Sequence, residues 1–209
     1  MLTIIQAAGW PIWPLLACSV LAMALVIERF WSLRASRILG ADVLSDISSQ
    51  VRHGLPSDDA VRQWEQNSTL GGVLCSCLRM LERHPTCSES DLRNAMQTSG
   101  RVAAQQMERY LTALATIASA APLLGLLGTV VGMIELFGAQ APAGSTNPAQ
   151  LAQGISMALY NTAFGLMIAI PALIFWRYFR ARVDAYLLTM EAASEQLIAQ
   201  INALRRATP

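Results

Sequence analysis

Three apolar stretches constrain this chain more than any other feature: Trp10–Ile27, Leu111–Ile134 and Ile155–Trp176. Crossing a bilayer as a helix takes roughly 20 apolar residues, and each stretch approaches or exceeds that length. In hydrocarbon every backbone polar group must be satisfied within its own segment, so the stretches must be helices or parts of a closed barrel. No alternating strand pattern appears anywhere, which leaves helices. Hydrophobic residues make up 54 % of the chain, and the formal net charge of +1 gives no reason to expect nucleic acid as a partner. The first stretch lacks the basic segment that would begin a signal peptide. Leu15-Leu16-Ala17-Cys18 only loosely resembles a lipoprotein cleavage box, because the apolar run continues past it.

Arginine placement sets the orientation. Arg29, Arg34 and Arg37 follow the first span, Arg101 and Arg109 precede the second, and Arg177, Arg180 and Arg182 follow the third. The segment before Trp10 and the stretch from Gly138 to Gly154 have no basic residue. The positive-inside rule then puts both of these outside. The expected organisation is 1–31 as outer N-terminus and first span, and 32–110 as a cytoplasmic helical region. Residues 111–176 form the second and third spans with a short outer turn, and 177–209 form a cytoplasmic C-terminal helix. Trp10, Trp13, Trp31 and Trp176 fall at the expected membrane edges, where tryptophan is enriched.

The polar regions also read as helical. Ser88 followed by Asp91 resembles a capping box. From there no terminating signal appears before Pro122, which predicts one helix running to Leu136, about 75 Å long at 1.5 Å per residue. Pro56, Pro85 and Gly71-Gly72 divide the region ahead of it into short helices. The stretch Ala139–Gln150, with Pro142, Gly144 and Pro148, reads as a turn between antiparallel spans. In the tail, Val183, Leu187, Met190, Ser194, Leu197, Ile201 and Leu204 recur in steps of three and four. That heptad-like seam needs a partner helix, either from the preceding loop or from a neighbouring subunit, where it would hold an oligomer together.

Candidate chemistry is sparse. His53 and His84 have no Cys, Asp or Glu partner at metal spacing, so no metal or other cofactor is expected. Cys18, Cys75, Cys77 and Cys87 fit neither zinc nor thioredoxin spacing and read as reduced and structural. No nucleophile elbow or phosphate-binding loop is present, and the chain reads as a non-enzyme. The spans hold no carboxylate at mid-depth; Glu28 and Glu135 lie at their ends. Proton relays in membranes use Asp, Glu or His, so conduction would need a titratable group from another chain.

What the second and third spans do carry is small residues at helical spacing. Ala118, Pro122, Gly125, Thr129 and Gly132 lie on one helix face, and Ala158, Thr162, Gly165 and Ala169 lie on another. Small residues let helices approach closely in a bilayer, and each stripe holds one hydroxyl. A lone threonine in such a helix commonly bonds a carbonyl one turn back on its own helix. Two of them on two such stripes equally suggest a polar point in a shared seam or pore.

The segments Ala121-Pro122-Leu123-Leu124-Gly125-Leu126-Leu127-Gly128-Thr129-Val130-Val131-Gly132 and Gly154-Ile155-Ser156-Met157-Ala158-Leu159-Tyr160-Asn161-Thr162-Ala163-Phe164-Gly165-Leu166, with Ala169-Ile170-Pro171-Ala172, resemble the MotA/TolQ/ExbB family of inner-membrane energy transducers. The first span and its Glu28-Arg29 exit are similar to the ExbB/TolQ branch.

The resemblance implies an all-α polytopic membrane protein with three transmembrane helices and long cytoplasmic helical extensions. It further implies a homopentamer in a Gram-negative inner membrane around single-span partners of the ExbD/TolR type. A partner aspartate would carry the proton and a TonB- or TolA-like protein would receive the work. Carried over by motif, Thr129 and Thr162 are the pore threonines, with Gly125, Gly132, Ala158, Gly165 and Ala169 lining the pore beside them. Glu135 is a candidate for the outer vestibule. Met157 stands where relatives often have glutamate, and Asn161 adds polarity beside Thr162. The implied function is conversion of proton motive force into work for TonB-type outer-membrane transport. A TolQ-like envelope-maintenance motor or a non-conducting membrane scaffold are the alternatives.

Overall fold

The computed structural model describes residues 10–40, 42–53, 56–140 and 148–207. Among these the chain is helical, with no strand. The helices are α1 (Ile12–Ser32), α2 (Ala35–Ile38), α3 (Val43–His53), α4 (Asp58–Asn67), α5 (Thr69–Arg83), α6 (Glu89–Glu108), α7 (Leu111–Gln140) and α8 (Pro148–Ala207). Three helical stretches are long and apolar enough to cross a membrane: α1, the one ending at Gly138, and α8. The protein is therefore an all-α polytopic membrane protein with three spans. The expected turn at Ala139–Gln150 lies largely outside the described residues.

Two compact units emerge. The first comprises the chain up to Arg29 and Tyr110–Tyr178; the second comprises Phe30–Arg109 and the chain from Phe179. Composition separates them sharply, since of all the charged residues only Glu28, Arg29, Glu135 and Arg177 fall in the first.

The first unit packs small residues inward and large apolar ones outward. Its core joins Leu15 of α1, Ala121 of α7 and Ala169 of α8, with Leu124, Phe164 and Ile168 packed against them. Val20, Met23, Leu123, Ile134 and Met167 are exposed, as lipid-facing side chains are. Pro122 and Pro171 sit inside α7 and α8 without ending them. One charge is buried here. Arg29 is 3 % exposed, donates to Glu28 at 2.6 and 3.0 Å, and stacks over the Tyr110 ring at 4.9 Å. A charge this poorly hydrated is tolerable only when paired, and the carboxylate and the ring face supply that.

The second unit folds as a soluble helical domain does. Ser57, Ser68 and Ser88 cap α4, α5 and α6, each accepting a backbone N–H of the first turn. Ser88 and Asp91 form the full capping box, with the Ser88 N–H donating to the Asp91 carboxylate at 2.9 Å. These hydrogen bonds hold the Asp91 carboxyl below its ordinary range. Cys75 and Cys77 are free thiols in the core, and burial pushes both up to about 12.

Two expectations change. The helix predicted from Ser88 to Leu136 is interrupted at Arg109 and Tyr110, where α6 gives way to α7. That break coincides with the boundary between the units and with the residue whose ring covers Arg29.

The heptad-like seam of the tail, left open between two partners, is taken up within this chain. Val183, Met190, Leu197 and Ile201 are buried inside the second unit. Polar ties fix α8 there: the Tyr186 hydroxyl donates to Leu33 O at 2.9 Å, and Gln200 Nε2 donates to Ser48 O at 2.7 Å. Arg205 donates to Cys87 O and Pro85 O at 2.8 and 3.1 Å. The loop helices bury this seam, so it is not left over to hold a neighbouring subunit. Leu197 is fully buried. Leu197→Ala should therefore destabilise the protein by about 2–5 kcal/mol, read as a lowered midpoint of thermal or chemical unfolding in detergent.

Candidate functional site

The two small-residue stripes meet each other. A Cβ built on Gly165 would lie 2.6 Å from Ala121 O and 3.2 Å from the Gly125 Cα. One on Gly125 would lie 2.7 Å from Asn161 O and 3.0 Å from the Thr162 Cα. Further along, a Cβ on Gly128 would strike the Asn161 side chain at 2.7 Å, and one on Gly132 would touch the Ala158 Cβ at 3.4 Å. The order 121, 125, 128, 132 against 165, 162, 161, 158 describes α7 and α8 running antiparallel with their backbones in near contact. Glycine is required at Gly125 and Gly165 because the opposing atoms are backbone and cannot turn aside.

The seam carries three polar side chains. Asn161 is 2 % exposed, its amide lying against Gly128. Thr162 donates across the seam to Gly125 O at 3.3 Å and is half-buried. Thr129 donates locally, to Leu126 O at 2.6 Å, one turn back on its own helix. Of the two readings open for a membrane threonine, Thr129 follows the local one and Thr162 the interhelical one.

The position of the threonines around their helices matters more than their bonds. Leu124, Phe164 and Ile168 pack on the cluster that contains Leu15 of α1. At about 100° per residue, Thr129 lies about 140° around α7 from Leu124 and about 80° from Ala121, and Thr162 lies about 160° around α8 from Phe164 and about 20° from Ala169. Both threonines therefore lie on the seam side of their helices, away from Leu124 and Phe164. Gly125, Ala158, Gly165 and Ala169 are buried within the protomer between the helices, and Gly132 is half-buried. Glu135 is exposed on α7, six residues beyond Thr129, or about 9 Å along the axis. Met157 lies in α8, and its side chain is outside the described set. His84 is an exposed residue at the end of α5. Among the described residues no group of three His, Cys, Asp or Glu side chains gathers for a metal.

Sequence reasoning did not assign Gly128 a partner or give Arg29 a place inside the first unit. The signal for Gly128 was available: Asn161 is the one amide in an otherwise dry stretch and had to face something small. Arg29 followed an apolar span and read as an ordinary interfacial cation.

Three helical spans and a glycine-packed seam between the last two, carrying Thr129 and Thr162, define a membrane-embedded helical protein. Residues 65–192 match the MotA/TolQ/ExbB proton channel family. A "Biopolymer transport protein exbB1" from Vibrio cholerae is 34 % identical over 174 residues, spanning 80 % of this chain and 73 % of the relative. A "Putative biopolymer transport protein ExbB-like 3" from Synechocystis sp. is 33 % identical over 185 residues, spanning 84 % and 83 %. A "Biopolymer transport protein ExbB" from Salmonella typhimurium is 37 % identical over 108 residues, spanning 51 % of this chain and 44 % of the relative. The chain belongs to the MotA/TolQ/ExbB proton channel family, on its ExbB/TolQ side.

The seam can be tested directly. Gly125→Ala and Gly165→Ala should each force α7 and α8 apart and destabilise the protein by about 1–3 kcal/mol, the usual cost of overpacking. Gly132→Ala, whose Cβ would meet Ala158 at ordinary contact distance, should be nearly neutral. Thermal stability of the three variants in one detergent distinguishes them.

Proposed function

We propose that this protein is the multi-span subunit of a proton-driven motor in the bacterial inner membrane. It forms a homopentamer around a single-span partner of the ExbD/TolR type and passes work to a TonB-like protein for outer-membrane transport. In this reading the N-terminus is periplasmic, and 32–110 and 177–209 are cytoplasmic, which the arginine distribution supports.

The observation that supports the reading is the position of Thr129 and Thr162 on the α7–α8 seam side, away from Leu124 and Phe164. If α1 lies outermost, α7 and α8 line the centre, and five copies present two rings of hydroxyls to whatever occupies it. Gly125, Gly132, Ala158, Gly165 and Ala169 form the wall behind the hydroxyls, bringing the two helices close enough to place them side by side. Glu135 stands at the outer mouth.

The chemistry then divides between chains. An aliphatic hydroxyl does not carry a proton near neutral pH, and no Asp, Glu, His, Lys or Arg lies in 111–134 or 148–176. The carboxylate must come from the partner's span, where these hydroxyls can hydrogen-bond either of its protonation states. Thr162 is suited to this because its present acceptor, Gly125 O, is at a long 3.3 Å and is readily exchanged for a better one.

Two measurements test the proposal. Thr162→Val removes the hydroxyl at nearly constant shape; it should leave assembly intact and reduce energy-dependent uptake at least tenfold. Full activity would mean that the hydroxyl only packs. The homo-oligomer alone, reconstituted in liposomes under a pH gradient, should pass few protons, since an apolar constriction blocks flux by dewetting. Co-reconstitution with the single-span partner should restore flux. Robust flux without the partner would place the titratable group in this chain and overturn the mechanism.

A further inference from the structure

The second unit contains a groove that its own side chains leave open. It lies between α6 and α8 with a volume of about 440 Å³, and Met96, Ala104, Met190 and Ile198 line its apolar part. Arg101 stands on the α6 wall and Glu191 on the α8 wall, and an ion pair between Arg93 and Glu195 crosses it. Gly100 lies in the α6 wall, in the interior of a helix that runs from Glu89 to Glu108. A Cβ on Gly100 would meet nothing within 4 Å. Glycine inside a helix is less stable than alanine there, and nothing within the protomer requires it. The open space in front of Gly100 leaves room for the close approach of a second body.

The same unit carries a projection that matches. Leu188 is 70 % exposed, the most exposed large apolar side chain described in this unit. It lies on a face of α8 with Ala181, Ala185, Ala192, Ala199 and Ala203, all exposed. That face is turned about 160° from Met190 and about 120° from Ser194, which line the groove on the same helix, while Glu191 and Glu195 on the groove rim lie about 60° and 20° from Leu188. Groove and projection are therefore adjacent patches of one unit that share a rim at Glu191 and Glu195, and they cannot meet within one copy. The flanks are complementary. Beside Leu188, one flank of α8 is acidic, with Asp184, Glu191 and Glu195, and Arg182 lies on the other. The groove offers Arg101 on one wall and Glu191 on the other.

We propose that the α6–α8 groove receives the Leu188 face of α8 from a second copy of this chain, with Leu188 seated over Gly100. Because the two patches differ, the contact is heterologous, and such contacts repeat around a ring and close it when the rotation allows. The inference deepens the proposed ring assembly and rests on it. It assigns the subunit contact of the second unit to the outer face of α8, since the heptad-like seam is already buried.

The test co-expresses two differently tagged full-length chains, one with Gln97→Cys at the groove and one with Leu188→Cys, followed by mild oxidation in the membrane. A mixed disulfide-linked dimer is expected, absent from a control pair of Arg62→Cys and Leu188→Cys. Adding Gly100→Leu to the groove-side chain should fill the site and abolish the cross-link at unchanged thermal stability, because the new side chain enters open space. An intact oligomer with no cross-link between positions 97 and 188, or with dimers linked only through position 188 of both chains, overturns this contact and leaves the ring standing. Capture of the Gln97→Cys chain by a co-expressed single-span partner, in place of the Leu188→Cys chain, also overturns it. A wild-type chain that sediments as a monomer overturns the ring assembly itself.

Discussion

The contact between the backbones of α7 and α8 governs the rest of the membrane unit. In water, burying apolar side chains would hold two helices together; in a bilayer the lipid is as apolar as leucine, and that force disappears. What remains is van der Waals contact and hydrogen bonding, and both improve as the backbones approach. Gly125 and Gly165 permit that approach, and at 2.6–2.7 Å from the opposing carbonyls their missing Cβ atoms set its limit. The register of every other pair follows. Asn161 falls on Gly128, Thr162 falls within reach of Gly125 O, and Ala158 falls on Gly132. The large apolar side chains of both helices are left to face outward.

The second unit is held by different physics, although α8 runs through both. Beyond Phe179 the helix buries Val183, Met190, Leu197 and Ile201 in a core that includes Leu74 and Leu92. There burial does the work, at about 1.5–3 kcal/mol for each large apolar side chain removed from water. Surface ion pairs such as Arg79 with Glu65 at 2.6 Å add little, because exposed pairs are screened. The buried carbonyl ties from Tyr186 and Gln200 matter more, since losing one would strand an acceptor. One 60-residue helix thus changes from a small-residue seam to a leucine-type seam along its length. The change follows the solvent each half requires.

Much of this was legible in the residues because each signal was local. The three spans, the Ser88–Asp91 capping box and the two small-residue stripes depend on composition or spacing along one helix, and the sequence states those directly. What escaped was pairwise or tertiary. A periodic seam such as Val183 to Leu204 says that a partner exists but not whose helix it is; only the loop's fold decides that. The break at Arg109-Tyr110 has no Gly or Pro to announce it and coincides with a tertiary contact, the Tyr110 ring on Arg29. The threonine bonds show the same limit, since Thr129 and Thr162 look alike in sequence. Only the close approach at Gly125 gives Thr162 an acceptor on the other helix.

Under the proposed function, a subunit with no Asp, Glu, His, Lys or Arg in 111–134 or 148–176 can still control where a proton goes. A carboxylic acid placed in a dry apolar ring has its charged form disfavoured and its affinity for protons raised. Hydrogen bonds to the charged form act in the opposite sense. In the proposed pentamer, a ring combining Leu, Ala and Gly walls with threonine hydroxyls would set a partner carboxylate between those limits, where it could load on one side and release on the other. Asn161 supports the arrangement from behind. Buried against Gly128, it fixes the seam's register and with it the height of the Thr162 hydroxyl. The same glycine contacts that pack the membrane unit thus determine where the polar groups of the seam stand.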